Sequence, residues 1–228
     1  MILKDSLQFS DNRIIESAYV ITVKGNHESE KLALRCIDSC KKINQNVKLW
    51  QAFDGTDGQT IVVPPHLENQ SYVKWIKQVN NKYSTSQIAV FFSHLSLWAH
   101  CAEINQPIII LEHDAIVIKK LEVHNFFNCI QYLGNKEYLH HVKHPFGIPP
   151  HGTIYDRMWR FILRAHAYAI DPPVARNLLS YAIREGMTKT LDVFMRCEIF
   201  AIVQNDFYAY DERGISTIEQ KENYTEDQ

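Results

Sequence analysis

The chain has 228 residues, 46% of them hydrophobic and 22% charged, a formal net charge of -2 and a pI near 6.6. That length supports one domain with a sizeable core, and the balanced charge gives no overall footprint for nucleic acid or an anionic membrane. No apolar run approaches the roughly 20 residues of a membrane span, the first 16 residues lack the continuous apolar stretch of a signal peptide, and five cysteines without a C-x-x-C pair fit a reducing, cytoplasmic setting.

Residues 1–17 read as an N-terminal arm. Residues 18–23 (Ala-Tyr-Val-Ile-Thr-Val) read as a first strand that breaks at Lys24-Gly25-Asn26. Over residues 28–44, Leu32, Cys36, Ile37, Cys40 and Ile43 recur at a helical period. Residues 47–53 form a second strand, stopped by Asp54-Gly55-Thr56-Asp57-Gly58, a turn by composition. Strand, helix and strand in so short a span make a βαβ unit, which implies a parallel sheet. Pro64-Pro65 interrupts regular structure, and Tyr72, Val73, Trp75, Ile76 and Val79 predict a short amphipathic helix. Ser84 and Gln87 stand at capping-box spacing. The helix they open carries Ile88, Phe91, Phe92, Leu95 and Trp98 and leads into the most informative stretch of the chain.

That stretch runs Ile108-Ile109-Ile110-Leu111-Glu112-His113-Asp114-Ala115-Ile116-Val117-Ile118. Its apolar, β-rich start reads as a strand buried on both faces. Its acidic end is costly near a core unless something compensates the charge, and a metal ion is a common compensator. Ligands of open α/β sheets sit just beyond the carboxyl ends of the strands. If the chain stays extended there, Glu112 and Asp114 share one face and His113 points to the other.

Farther on, residues 121–133 predict a helix ending at Gly134, and residues 136–150 a loop rich in His, Pro and Gly. Residues 164–170 alternate as a strand. Asp171-Pro172-Pro173 starts a helix, with Asp as N-cap and Pro in its first turn, and Gly186 ends it. Residues 200–203 are strand-like and residues 219–228 a disordered polar tail. The expected fold class is α/β, with a mostly parallel central sheet flanked by helices, in one domain over residues 18–218.

Several of these blocks together resemble glycosyltransferase family 25, the lipooligosaccharide and procollagen galactosyltransferase type. The blocks are the opening strand Tyr19-Val20-Ile21-Thr22-Val23, the turn Ala52-Phe53-Asp54-Gly55, the helix around Ser93-His94-Leu95 and the acidic Leu111-Glu112-His113-Asp114-Ala115. Ala167-Tyr168-Ala169-Ile170, Ala175-Arg176-Asn177-Leu178-Leu179 and Leu191-Asp192 continue the likeness downstream, and Ile215-Ser216-Thr217-Ile218 resembles the family domain's end. One departure matters: the family's middle acid is His113 here.

The resemblance implies a GT-A nucleotide-sugar fold and the metal-assisted, inverting transfer of a sugar from a UDP-sugar donor to a carbohydrate or other hydroxyl acceptor. It implies donor contacts at Val20, Thr22, Asp54, Ser93, His94 and Glu112, catalytic roles for Asp192 and Glu112, and Mn2+ or Mg2+ on Asp114 and Asp192. Such ions take one or two carboxylates together with phosphate oxygens and water, and they stabilise the charge that builds on a departing diphosphate. Inversion needs a general base, for which Asp192, Glu198 and His166 are the candidates. Arg157, Arg160 and Arg164 are placed for phosphate or acceptor contacts, or else line a solvated helix face. Two rival readings stand beside this one. The loop bearing His140, His141, His144 and His151 could hold Zn2+ for a hydrolase, which needs three protein ligands and a water, or the chain could bind a sugar nucleotide without turning it over.

Overall fold

The computed structural model describes residues 10–79, 82–126, 128–134, 164–196, 199–205 and 207–211. The first βαβ unit is present. Strand β1 (Ser10–Ile14) precedes β2 (Ser17–Thr22), helix α1 (His27–Lys42) follows, and β3 (Lys48–Gln51) lies parallel to β2. Asn26 caps α1 by accepting the Ser29 N–H at 3.0 Å. The stretch around Trp75 is a 3-10 helix (Ser71–Gln78) rather than an α-helix. The capping box forms: Ser84 Oγ accepts the Gln87 N–H while Gln87 Oε1 accepts that of Ser84, and this opens α2 (Thr85–Ile104). The helix stops at Asn105, whose φ of 50° is left-handed.

Strand β4 (Ile108–Leu111) then enters the sheet parallel to β2. The chain does not stay extended past Leu111. The Ala115 N–H turns back to the Glu112 carbonyl at 3.1 Å, and β5 (Ala115–Val117) leaves the sheet to pair antiparallel with β10 (Ala209–Asp211). The helix expected over 121–133 is also absent. In its place are β6 (His124–Phe126), paired with β1, and β7 (Ile130–Tyr132), separated by Asn128 at a left-handed φ of 55°. The sheet overrides local periodicity here, because β7 is wholly buried between β8 (Ala167–Ile170) and β9 (Ile202–Gln204). Asp171 caps α3 (Pro172–Glu185) by accepting the Val174 N–H at 3.0 Å, Gly186 ends it with a φ of 67°, and α4 (Leu191–Phe194) follows.

The central sheet has six strands in the order β3-β2-β4-β8-β7-β9. β8 is antiparallel to both of its neighbours and the other pairings are parallel, so five strands run one way and β8 alone opposes them. Both faces are covered. In β4, Ile108 and Ile110 pack toward α2, α3 and α4, while Ile109 and Leu111 pack toward α1, β5 and β10. β8 repeats the alternation with Tyr168 and Ile170 on the first face and Ala167 and Ala169 on the second. This double burial is why the sheet strands read as continuous apolar runs. Cys36, Cys40, Cys101 and Cys129 are buried. Among the described residues no helix is long and apolar enough to cross a membrane.

Candidate active site

The carboxyl ends of β2, β3 and β4 open onto one cavity of about 100 Å³. Ile21, Val23, Phe53, Ala89 and Val90 give it an apolar wall, and Glu112, His113 and Asp114 edge it together. All three residues of the acidic turn therefore meet the cavity. His113 and Glu112 still turn toward opposite helices, His113 to Ser29 of α1 and Glu112 to His94 of α2.

Helix α2 supplies the back wall. Ser93 Oγ accepts the Phe53 N–H at 3.0 Å and donates to the Ala89 carbonyl at 2.7 Å, which pins the end of β3 to the helix. His94 is buried, its ring stacked on Tyr168, with Nδ1 2.8 Å from the Tyr168 hydroxyl and Nε2 3.2 Å from Glu112 Oε1. The donor inventory settles the proton positions. Trp98 Nε1 can only donate, and it points at the Tyr168 oxygen at 2.9 Å. The hydroxyl proton of Tyr168 then goes to His94 Nδ1, which leaves Nε2–H for Glu112. Burial pushes the Tyr168 hydroxyl well above its ordinary value, so it keeps that proton. Burial would also push the Glu112 carboxyl up, but the bond from His94 and the nearby histidines outweigh it, and Glu112 is held below its ordinary range.

Asp114 differs. Burial, with Glu112 and Asp211 close by, pushes its carboxyl up to about 7, and its Oδ1 is buried with no hydrogen-bond partner. Asp192 is likewise raised to about 7 by burial and by Glu112. Its two oxygens accept the backbone N–H groups of Arg164 (3.1 Å) and Ala165 (3.2 Å). Arg164, at a left-handed φ of 62°, pairs with Asp211, so it spans two acids rather than lying on a solvated helix face. His113 is half-buried, and desolvation lowers its pKa; its Nδ1 lies 3.1 Å from Ser29 Oγ.

The remaining expected site residues separate. Val20 is fully buried beneath α1, so its side chain has no access to the cavity. Thr22 ends β2 with its Oγ1 buried and unpartnered. Asp54 Oδ1 is occupied by the N–H and hydroxyl of Thr56 at 2.9 and 2.7 Å, so it shapes the turn. Gly55 next to it is required by packing, since a Cβ there would run into the Thr85 carbonyl. His166 is not placed to act as a base: it is buried, with both ring nitrogens on backbone carbonyls, those of Arg164 (2.9 Å) and Ala209 (3.2 Å). Glu198, Arg157, Arg160 and the loop histidines His140, His141, His144 and His151 lie outside the described residues, as does the family-like stretch 215–218. Sequence reasoning missed the Tyr168 hydroxyl, Trp98 and Ser29 as parts of the site. Tyr168 alone had a signal, as an aromatic residue in an alternating strand ending beside the acidic one.

A family model described as Glycosyltransferase family 25 (LPS biosynthesis protein) matches residues 16–195. Among solved structures, the chain is similar to the crystal structure of a glycosyltransferase involved in the glycosylation of the major capsid of PBCV-1. The identity is 9% and the TM-score 0.42, over 90% of this chain and 96% of that one. No curated protein matches the chain.

Proposed function

The chain belongs to glycosyltransferase family 25 and is a glycosyltransferase, and from that premise we propose that it moves a hexose from a UDP-sugar to an acceptor hydroxyl with inversion, assisted by Mn2+ or Mg2+. The observation that carries this reading is Asp114, a half-buried residue lining the cavity, with one buried carboxylate oxygen that has no partner and with Glu112 and Asp211 close enough to raise it. Such an oxygen is a hard donor with no protein partner, which suits a hard divalent cation. The described residues hold no cluster of three or more ligands, and none is needed, because these ions complete their shells with phosphate oxygens and water. When bound, the ion would neutralise charge on the departing diphosphate.

The protein's own groups take the other parts. Glu112, ionised and oriented by His94, accepts hydrogen bonds from the sugar hydroxyls. Asp192 is half-buried and raised to about 7, close to the value a general base needs at neutral pH. We assign it the acceptor proton rather than the ion, because both of its oxygens already take backbone N–H groups. The apolar wall formed by Ile21, Val23 and Val90 suits the flat face of a nucleobase. A lipooligosaccharide hydroxyl is the acceptor we favour, in keeping with the family's description.

The test is release of nucleotide from UDP-galactose, UDP-glucose and related donors by the purified protein, with Mn2+, with Mg2+ and with chelator. Calorimetric titration of UDP with Mn2+ accompanies it. Chelator-sensitive release or metal-dependent UDP binding is expected. Absence of both would overturn the proposal.

A further inference from the structure

An anionic diphosphate entering this cavity approaches two carboxylates, Glu112 and Asp114, and no Lys or Arg lines the described wall. The available side-chain donors are nearly all committed. Thr56 Oγ1 donates to Asp54, Ser86 Oγ to the Gly55 carbonyl and Ser93 Oγ to the Ala89 carbonyl. Both nitrogens of His94 are bonded, to Tyr168 and Glu112. His113 is the exception among the described lining residues. Its Nδ1 meets Ser29 Oγ, which already accepts the Val23 N–H at 2.9 Å, and the only acceptor described for the Ser29 proton is that Nδ1. The ring is therefore held with Nε2 carrying a hydrogen, and this is so whether the imidazole is neutral or charged. No described residue bonds Nε2, and His113 is one of the residues that line the cavity.

We propose that His113 binds the donor's diphosphate, with its Nε2–H, oriented by Ser29, donating to a phosphate oxygen beside Asp114. An imidazole between two acids thereby does what a third carboxylate there could not: it attracts the phosphate directly. The protein should consequently bind a nucleoside diphosphate even without the divalent ion. This inference rests on the sugar-nucleotide reading given above.

The experiment is calorimetric titration of UDP and of uridine into the full chain and three variants, His113→Ala, His113→Gln and His113→Asp, each with chelator and with Mn2+. Wild type is expected to bind UDP in chelator. His113→Ala should lose about tenfold or more in UDP affinity there, the value of a hydrogen bond to a charged group, with uridine affinity unchanged. His113→Gln keeps an N–H donor and should retain most of the binding. His113→Asp should bind UDP only when Mn2+ is present. Circular dichroism confirms that each variant is folded. Equal UDP affinity of wild type and His113→Ala in chelator would overturn the assignment while leaving the donor reading intact. If wild type binds UDP with Mn2+ and not in chelator, the assignment fails and the donor reading stands. If wild type binds no UDP in either condition, both fail together.

Discussion

Replacing Asp114 with Asn should make the protein more stable and inactive at once. In the metal-free chain the Asp114 carboxyl has a value about 7 against an ordinary 3.8. At pH 8 it is ionised in a place that disfavours the charge. At about 1.4 kcal/mol for each pKa unit, the full difference is about 4 kcal/mol of strain against folding. Relaxation and water at the cavity mouth reduce this, and about 2 kcal/mol is a reasonable expectation. For a chain of this size that raises Tm by about 4–8 °C. Asn matches the shape of Asp and removes the charge beside Glu112 and Asp211. The assay is a thermal melt of both proteins in chelator at pH 8 and at pH 4, followed by the same melts with Mn2+. The gain should appear at pH 8 and vanish at pH 4, where Asp114 is protonated in the folded protein. Mn2+ should raise the wild-type Tm and leave the variant unmoved. A variant that melts at or below wild type at pH 8 in chelator would refute the reasoning, as would equal stabilisation of both by Mn2+.

Asp114 and Asp192, both at about 7 when folded and 3.8 ordinarily, bind more protons in the native state than in the unfolded chain between those values. Their contribution to stability is full below about pH 4 and lost as pH rises through about 7. Chelated wild type should therefore weaken across that window, and a double Asn variant should show a flatter profile; identical profiles would exclude these two acids as the cause. Gly55→Ala drives a methyl group into the Thr85 carbonyl and should cost about 1–3 kcal/mol in denaturant unfolding, whereas an unchanged midpoint would mean that the turn can move aside. Tyr168→Phe keeps the ring but strips a partner from Trp98 Nε1 and His94 Nδ1. It should destabilise the fold by about 2–4 kcal/mol, and a loss under 0.5 kcal/mol would show that the chain of bonds is not formed.

The parts of this fold that could be read in advance are those with local causes. Ser84 and Gln87 announce α2 because a capping box is complete within four residues. Asp171-Pro172 and Gly186 bound α3 because each acts on the backbone next to it. The segment from 121 to 133 misled because its strands owe their existence to partners at 10–14, 167–170 and 202–204, which no local periodicity reports. The acidic end of β4 was legible as a strand end, but the path beyond it was not, since the Ala115 N–H turns back to the Glu112 carbonyl and the chain leaves the sheet to pair with residues 209–211. The bond between His94 and Tyr168 joins residues 74 positions apart, and the pairing of Arg164 with Asp211 spans 47. Contacts of that kind are consequences of topology, so spacing alone is silent about them.

Ser93 and His94 are consecutive, yet one grips the end of β3 and the other the end of β4, the two strands on either side of β2. The gap between those ends is therefore gauged by one peptide unit, as by a fixed calliper, and not by the give of packed side chains. Sliding α2 by a single residue would shift it 1.5 Å and turn it about 100°, releasing both jaws together. Gradual widening of the cleft along that axis is closed to evolution. Descendants of this chain that take a bulkier donor should find room by trimming the residues on the wall, Ile21, Val90 or Thr56, while the pair that sets the width stays in place.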